Sequence, residues 1–206
     1  MSTDADARLA ELADAEDVDE VRRLYDDWAP TYDGDEVAAR LGYAGPDRVA
    51  ARVADLVGPH ADVLDAGCGT GLVGAALSAR GFGSVDGLDL SPGMIRQARR
   101  RRVYHDLGPA DLRRGVPGAR AKFGVVTCVG ALAPGHLGPD ALIGLVRAAG
   151  PGGYVVAALA EDTWTAAGYD AQVAGLAEQG FACPVAGTDA PDPDGPGRLL
   201  VLEVSR

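Results

Sequence analysis

From residue 61 to the end of the sequence, short apolar runs alternate with amphipathic segments. Apolar runs of this length are typical of buried strands, and the amphipathic segments between them are typical of helices that cover a sheet. The alternation is that of β-α units, which build a parallel sheet with helices on its faces. It predicts an α/β fold.

Seven strands are predicted from the apolar runs, at residues 61–66, 84–89, 102–107, 123–129, 152–159, 181–187 and 198–204. The run at 102–107 is the weakest of them. Only the polar stretch 188–197 separates the last two runs, which leaves no helix between them. We therefore expect the last two strands to form an antiparallel hairpin that closes an otherwise parallel sheet.

The residues before the first strand have a helical pattern, notably at 17–29 and 46–57. A chain of 206 residues is long enough for one sizeable core and short for two domains. No repeat or low-complexity linker divides it. We predict a single domain, in which residues 1–58 form a helical extension over the active site and residues 59–206 form the α/β core.

Composition excludes several classes of partner. The chain has 30 acidic and 19 basic residues, a net charge of -11 at pH 7, which argues against a nucleic-acid partner. The arginine run at 96–102 closes a predicted helix, where cations are favoured, and is interpreted as surface charge. The three cysteines form no C-x-x-C pair, so we expect no metal and a reducing, cytoplasmic setting. No run approaches the length of a membrane span and no secretory signal is recognised, so no membrane partner is expected.

The first predicted strand ends in a glycine-rich loop, and the segment Gly69-Thr-Gly-Leu-Val-Gly74 fits the G-x-G-x-x-G pattern of dinucleotide sites. Glycines there let a ligand approach the backbone closely. Both NAD and S-adenosylmethionine sites use such a loop, and Asp89 after the second strand suits the ribose of either. Asp65 favours S-adenosylmethionine, because a carboxylate pointing at this crevice repels a pyrophosphate but is compatible with an ammonium and a sulfonium.

Four segments carry a resemblance to a known family. VLDAGCGTG at 63–71 and GLDLSPGMIRQAR at 87–99 resemble the class I S-adenosylmethionine-dependent methyltransferases in loop, acid and spacing. YDDWAPTYD at 25–33 and FGVVTCVGAL at 123–132 are most similar to the small subgroup that includes the Williams-Beuren syndrome region methyltransferase. The resemblance implies a Rossmann-like, doubly wound sheet, with S-adenosylmethionine as cofactor and S-adenosylhomocysteine as its product.

The resemblance also implies which residues hold the cofactor. The glycine loop would carry its methionyl part, Asp89 the ribose hydroxyls, and Tyr32 the methionine end. An acid and an apolar residue after the third strand would read the adenine; Asp111-Leu112 fits this role, and Asp106-Leu107 competes for it. The cofactor residues implied in this way are Tyr32, Asp65, Gly67, Cys68, Gly69, Thr70, Gly71, Asp89, Leu90, Met94, Asp111, Leu112, Cys128 and Val129.

The acceptor side is less defined. Methyl transfer from a sulfonium mainly requires alignment, and a base is needed only when the acceptor must lose a proton. His136 is the candidate base, although ALAPGHLG stands here where many relatives have Glu-His-Leu. Tyr25, Leu132 and Trp164 are candidate acceptor contacts. Because the link after the fifth strand is short, we expect the N-terminal helices to cover the acceptor, which we predict to be a small molecule.

Two other functions stay open from sequence alone. One is a catalytically silent S-adenosylmethionine-binding partner or sensor, because binding residues are visible and acceptor chemistry is not. The other is an NAD-dependent reductase, which the glycine pattern allows. The sequence also leaves both a monomer and a homodimer open.

Overall fold

The computed structural model describes residues 4–15, 17–34, 45–133, 135–186 and 197–205. The helices in these ranges are α1 (Asp4–Asp14), α2 (Val18–Trp28), α3 (Gly45–Leu56), α4 (Leu72–Ser78), α5 (Pro92–Arg101), α6 (Ala141–Ala148), α7 (Glu161–Ala167) and α8 (Tyr169–Glu178). The strands are β1 (Val63–Ala66), β2 (Val85–Asp89), β3 (Asp106–Pro109), β4 (Phe123–Val129), β5 (Ala149–Ala160), β6 (Ala182–Pro184) and β7 (Gly197–Val204).

The strands form one seven-stranded sheet in the order β3-β2-β1-β4-β5-β7-β6. Strands β1 to β5 pair in parallel, and β7 pairs antiparallel with both β5 and β6. The predicted α/β fold is therefore confirmed, including the antiparallel pairing of the last two strands. Of the predicted polar turn, residues 188–196 lie outside the described residues, and Gly197 already belongs to β7.

The third strand fits its prediction least well, because β3 begins at Asp106, four residues later than the pattern indicated. Helix α5 runs as far as Arg101, and Arg102 ends it in the left-handed conformation with a φ of 57°. The Arg102 N–H donates to the Arg99 carbonyl and closes the last turn. The chain then passes Tyr104 beneath β1 and β2 before the strand starts.

Alternate side chains of the strands fill two apolar layers, one on each face of the sheet. This arrangement buries the strands on both faces and fixes their register. The layer between the sheet and helices α6 and α8 contains Leu64, Val126, Leu142, Leu145 and Tyr169. The layer between the sheet and helices α3 and α4 contains Val53, Val63, Leu77 and Val125.

Helices α1 and α2 form a smaller apolar cluster around Leu12, Val21 and Trp28. Asp26 of α2 fastens this cluster to α5, because its carboxylate accepts hydrogen bonds from Ser91 Oγ at 2.6 Å and from the Gly93 N–H at 2.5 Å. An acid at these positions also suits the positive end of a helix. In the described part of the chain, no helix is both long and apolar enough to cross a membrane.

Candidate cofactor and acceptor site

A cleft opens at the carboxyl ends of β1, β2 and β4, beside the point where the strand order reverses. Ligands of open α/β sheets bind at such a switch point. The cleft measures about 920 Å³ with the open solvent at its mouth included, and α2 and the loop after β4 wall it. The predicted cofactor residues that line it are Tyr32, Gly67, Cys68, Gly69, Thr70, Asp89, Leu90, Met94, Asp111, Leu112 and Val129.

The glycine loop forms one wall of the cleft. The Gly67 and Cys68 N–H groups donate to the Leu88 carbonyl at 2.8 and 2.9 Å, which ties the loop to the end of β2. Gly69 has a φ of 52°, and a Cβ added there would point into open space. A ligand can therefore lie directly on the loop backbone. Gly71, by contrast, starts α4 and does not line the cleft.

Asp89 joins the glycine loop to the start of α5. Its two carboxylate oxygens accept one hydrogen bond each, from the Gly69 N–H and from the Ser91 N–H, both at 2.8 Å. Burial raises the pKa of Asp89, and these hydrogen bonds act in the opposite sense. Each oxygen can accept a further hydrogen bond from a ligand in the cleft.

The sequence predicts that Asp65 points into the cleft, but in the structure its side chain does not line the cleft. The side chain is fully buried, with Oδ2 accepting a hydrogen bond from the Tyr104 hydroxyl at 2.6 Å and Oδ1 accepting one from Thr127 at 3.1 Å. Burial raises the pKa of Asp65 to about 6. Residue 65 shares its face of β1 with Val63, so its side chain lies beneath α4 and not at the ligand. The electrostatic discrimination between cofactors that we assigned to direct contact with Asp65 therefore has no basis in this geometry.

The opposite end of the cleft is apolar, apart from Asp111 and the arginines that pair with it. Leu90, Met94 and Leu112 supply the apolar wall. Asp111 follows β3 and lines the cleft, and its Oδ1 accepts a hydrogen bond from Arg113 Nε at 2.9 Å. The competing Asp106 stands at the far end of β3 from the cleft, where its carboxylate accepts from the next backbone N–H. Of the two acids, the geometry favours Asp111.

An aromatic cluster from the N-terminal segment covers the cleft. Tyr25 and Tyr32 line it, while Trp28 packs behind them with ring centroids 6.3 Å from Tyr25 and 4.9 Å from Tyr32. Burial, followed by the negative charge of Asp89, raises the pKa of Tyr32 to about 12. The Tyr32 hydroxyl thus keeps its proton and remains a hydrogen-bond donor.

His136 lies in the loop between β4 and α6 and lines the cleft. Its Nε2 is 2.8 Å from the Tyr25 hydroxyl, and the two rings meet edge to face at 5.5 Å. His105, by contrast, is 75% exposed and pairs with Asp86 away from the cleft. Of these two histidines, His136 is the one that lines the cleft.

Three further predicted residues do not line the cleft. Cys128 is fully buried within β4, and Leu132 is 1% exposed in the core under α6. Trp164 packs on Tyr169 and lies 4.3 Å beneath the Arg198 guanidinium, so its ring is covered by the protein. Side-chain alternation along β4 turns Cys128 to the sheet face, whereas its neighbour Val129 reaches the cleft.

A polar latch that the sequence analysis missed holds the N-terminal segment to the glycine loop. Asp33 accepts hydrogen bonds from Thr70 Oγ1 and from Arg101 Nη2, both at 2.5 Å. Arg101 Nε also donates to the Thr70 carbonyl at 2.7 Å. The arginine run that contains Arg101 was interpreted as surface charge alone. Arg101 lies one helical turn after the apolar Ala98, and this spacing was the sequence signal that Arg101 faces the protein.

The chain is similar to known methyltransferases. A family model described as "Methyltransferase domain" matches residues 63–153. The human protein "Methyltransferase-like protein 27" is 38% identical over 153 residues, covering 72% of this chain and 61% of that protein. The "18S rRNA (guanine(1575)-N(7))-methyltransferase" of Saccharomyces cerevisiae is 34% identical over 36% of this chain and 27% of its own. The chain thus spans less than two thirds of the length of these relatives.

Solved structures show the same fold. Magnesium protoporphyrin IX methyltransferase from Synechocystis with bound S-adenosylmethionine has a TM-score of 0.69 at 22% identity, covering 93% of this chain and 99% of that one. A TehB-like methyltransferase from Corynebacterium glutamicum has a TM-score of 0.64, also at 22% identity, covering 88% and 98%. At this identity the likeness concerns the fold alone.

Residues 63–153 match a methyltransferase domain, and the chain has the fold of the class I S-adenosylmethionine-dependent methyltransferases. The family prediction made from the glycine loop and Asp89 is confirmed, as is S-adenosylmethionine as the cofactor of the family. Within that class, the similarity to human methyltransferase-like protein 27 supports the Williams-Beuren region subgroup.

Proposed function

We propose that the chain transfers a methyl group from S-adenosylmethionine to a small-molecule acceptor. The observation that carries the proposal is the hydrogen bond between the Gly69 N–H and Asp89 on the wall of the cleft. It fixes the glycine loop relative to the acid that would hold the ribose. The chain covers 61% of the length of its human relative, and the methyltransferase activity is therefore proposed for this chain and not inferred from that relative.

The residues present fit the cofactor. The open space over Gly69 suits the methionyl part, and the remaining acceptor capacity of Asp89 suits two ribose hydroxyls. Leu90 and Met94 would flank the adenine. When bound, S-adenosylmethionine supplies a methyl group on a sulfonium leaving group that needs no protonation.

At the acceptor end, we assign Tyr25 and His136 to a proton relay. Burial raises the pKa of Tyr25, so the phenol is protonated and can donate to His136 Nε2 at 2.8 Å. An acceptor heteroatom that loses its proton during methylation would pass it to the Tyr25 oxygen, while the Tyr25 proton moves to the imidazole. The acceptor is thus neutral after methylation, and the His136 imidazolium releases the proton to solvent.

A small acceptor is favoured over a nucleic acid by the cover and the charge. The aromatic cluster of Tyr25, Trp28 and Tyr32 encloses the cleft from one side. The net charge of -11 opposes the approach of a phosphate backbone. Relatives differ in this respect: the yeast protein is named for 18S rRNA, and a Streptomyces fradiae protein, 43% identical over 40% of this chain, is named for a dTDP-amino sugar.

The test is turnover with matched acceptors. Purified protein is incubated with S-adenosylmethionine and either a panel of small phenols, amines, carboxylic acids and amino sugars, or total ribosomal RNA, and S-adenosylhomocysteine is measured by mass spectrometry. We expect product in at least one small-molecule arm and none above background with RNA. Product with RNA alone would contradict the small-molecule assignment. Tight cofactor binding without turnover in any arm would favour the silent binding module.

A further inference from the structure

Tyr104 fills a slot beneath the glycine loop that three glycines keep open. An added Cβ would stand 2.3 Å from Tyr104 Cζ at Gly74, 2.9 Å from Cε1 at Gly87 and 3.0 Å from Cε2 at Gly71. Gly71 is the N-cap of α4, Gly74 lies in its first turn, and Gly87 belongs to β2. The ring is therefore wedged between the loop-helix junction and the sheet, where a larger side chain at Gly74 would expel it.

The Tyr104 hydroxyl also acts as the N-terminal cap of α4. Gly71 occupies the N-cap position and has no side chain to accept a hydrogen bond from the first turn. Such N–H groups need an outside acceptor. The Gly74 N–H donates to Tyr104 Oη at 3.2 Å, across 30 positions of sequence. Tyr104 thus supplies the cap that a serine or aspartate would supply locally.

Asp65 holds this cap in place. The Tyr104 hydroxyl donates to Asp65 Oδ2 at 2.6 Å, and Thr127 donates to the other oxygen at 3.1 Å. Both oxygens of Asp65 are therefore engaged inside the protein, and the residue is fully buried. A continuous chain of hydrogen bonds runs from β4 through Asp65 and Tyr104 to the first turn of α4.

We propose that Tyr104 is a positioning residue for the cofactor, which fixes the glycine loop from beneath, and that Asp65 acts on the site by holding Tyr104 and the first turn of α4, not by contact with the ligand. This inference rests on the proposed cofactor binding. Neither Tyr104 nor Asp65 lines the cleft, and both support the glycine loop from beneath.

The test compares three purified variants with the wild-type protein by calorimetric titration with S-adenosylhomocysteine, at a temperature well below every melting midpoint. Tyr104→Phe keeps the ring and removes both hydrogen bonds. Asp65→Asn keeps an oxygen for the Tyr104 hydroxyl and removes the charge. Tyr154→Phe is the matched control, because Tyr154 pairs with Val125 at the opposite end of the strands from the loop.

We expect Tyr104→Phe to weaken the affinity at least fivefold, and both Asp65→Asn and Tyr154→Phe to weaken it less than fivefold. Because all variants are compared while folded, a purely structural role for Tyr104 would lower the melting midpoint and leave the affinity alone. Less than fivefold loss in folded Tyr104→Phe overturns the proposal, as does a fivefold or greater loss in Asp65→Asn, which would mean that its charge acts on the ligand directly. If Tyr104→Phe does not fold, Asp65→Ala, which removes the acceptor of the Tyr104 hydroxyl, takes its place: at least fivefold loss of affinity is expected, and a smaller loss in the folded variant overturns the proposal. Wild-type protein that fails to bind would instead refute the proposed function.

Discussion

Replacing Asp65 with asparagine should stabilise the protein at neutral pH. The carboxylate is fully buried, and its partners are two hydroxyls and the Gly74 N–H, with no cation among them. An asparagine has the same shape. Its oxygen can accept from Tyr104, and its amide can donate to Thr127 Oγ1, which also lies 3.3 Å from the Leu64 carbonyl and can donate to it. The substitution removes the charge and leaves each polar group with a partner.

The magnitude follows from the pKa of Asp65, which rises from 3.8 to about 6 on folding because burial disfavours the charged form. At about 1.36 kcal/mol for each pKa unit, the difference corresponds to roughly 3 kcal/mol. Between these two values the folded protein binds a proton that the unfolded chain releases. The contribution of Asp65 to stability therefore falls as pH rises from about 4 to about 6, and is constant above that range.

The measurement is urea unfolding of both proteins from pH 4 to pH 8. We expect their unfolding free energies to agree near pH 4 and to diverge until Asp65→Asn is more stable by up to roughly 3 kcal/mol above pH 6. Asp47→Asn, whose side chain is 80% exposed, controls for the loss of one negative charge. A difference between Asp65→Asn and wild type that does not change across this range would refute the reasoning, because it would mean that burial of the carboxylate is not what sets its pKa.

Three further predictions concern the cleft. Asp89→Ala should weaken S-adenosylhomocysteine binding at least tenfold in calorimetry, since hydrogen bonds to a charged group contribute about 1.5–3 kcal/mol each; a loss below threefold would remove the ribose assignment. Deleting residues 1–34 should weaken the same affinity at least tenfold, because Tyr25 and Tyr32 wall the cleft, whereas unchanged affinity would exclude a cover by this segment. With an acceptor that must lose a proton, His136→Ala should lower kcat at least tenfold without changing the donor KM, and an unaltered kcat would exclude the relay.

The strands were predictable where burial alone determines them. The run 123–129 has the same bounds in the structure, because β4 is central in the sheet and apolar on both faces. The start of the third strand was not predictable. Residue 102 was assigned to the strand, but Arg102 is the left-handed C-cap of α5, and the sequence pattern does not show where a helix ends in this way. That the glycine loop and Asp89 line the cleft was predictable, because a loop that lets a ligand approach its backbone and an acid after the next strand recur at fixed spacing.

The contacts that hold the site together were not predictable from local pattern. Asp26, Asp33 and Tyr104 meet their partners across 30 to 68 positions of sequence, and no periodicity links the members of each pair. Asp65 is an instructive exception. Its position two residues after Val63 already put it on the same face of β1 and inside the strand, so the alternation of side chains favoured a packed position over the contact with ligand that its place near the strand end suggested.

The latch between Asp33, Thr70 and Arg101 has a thermodynamic consequence, because the same backbone that would bear the cofactor also secures the segment that roofs it. Occupancy of the loop and docking of α2 must then favour each other reciprocally. Because salt screens this partly exposed ion pair, higher ionic strength should loosen the segment and speed the exchange of S-adenosylhomocysteine while the sheet beneath stays intact.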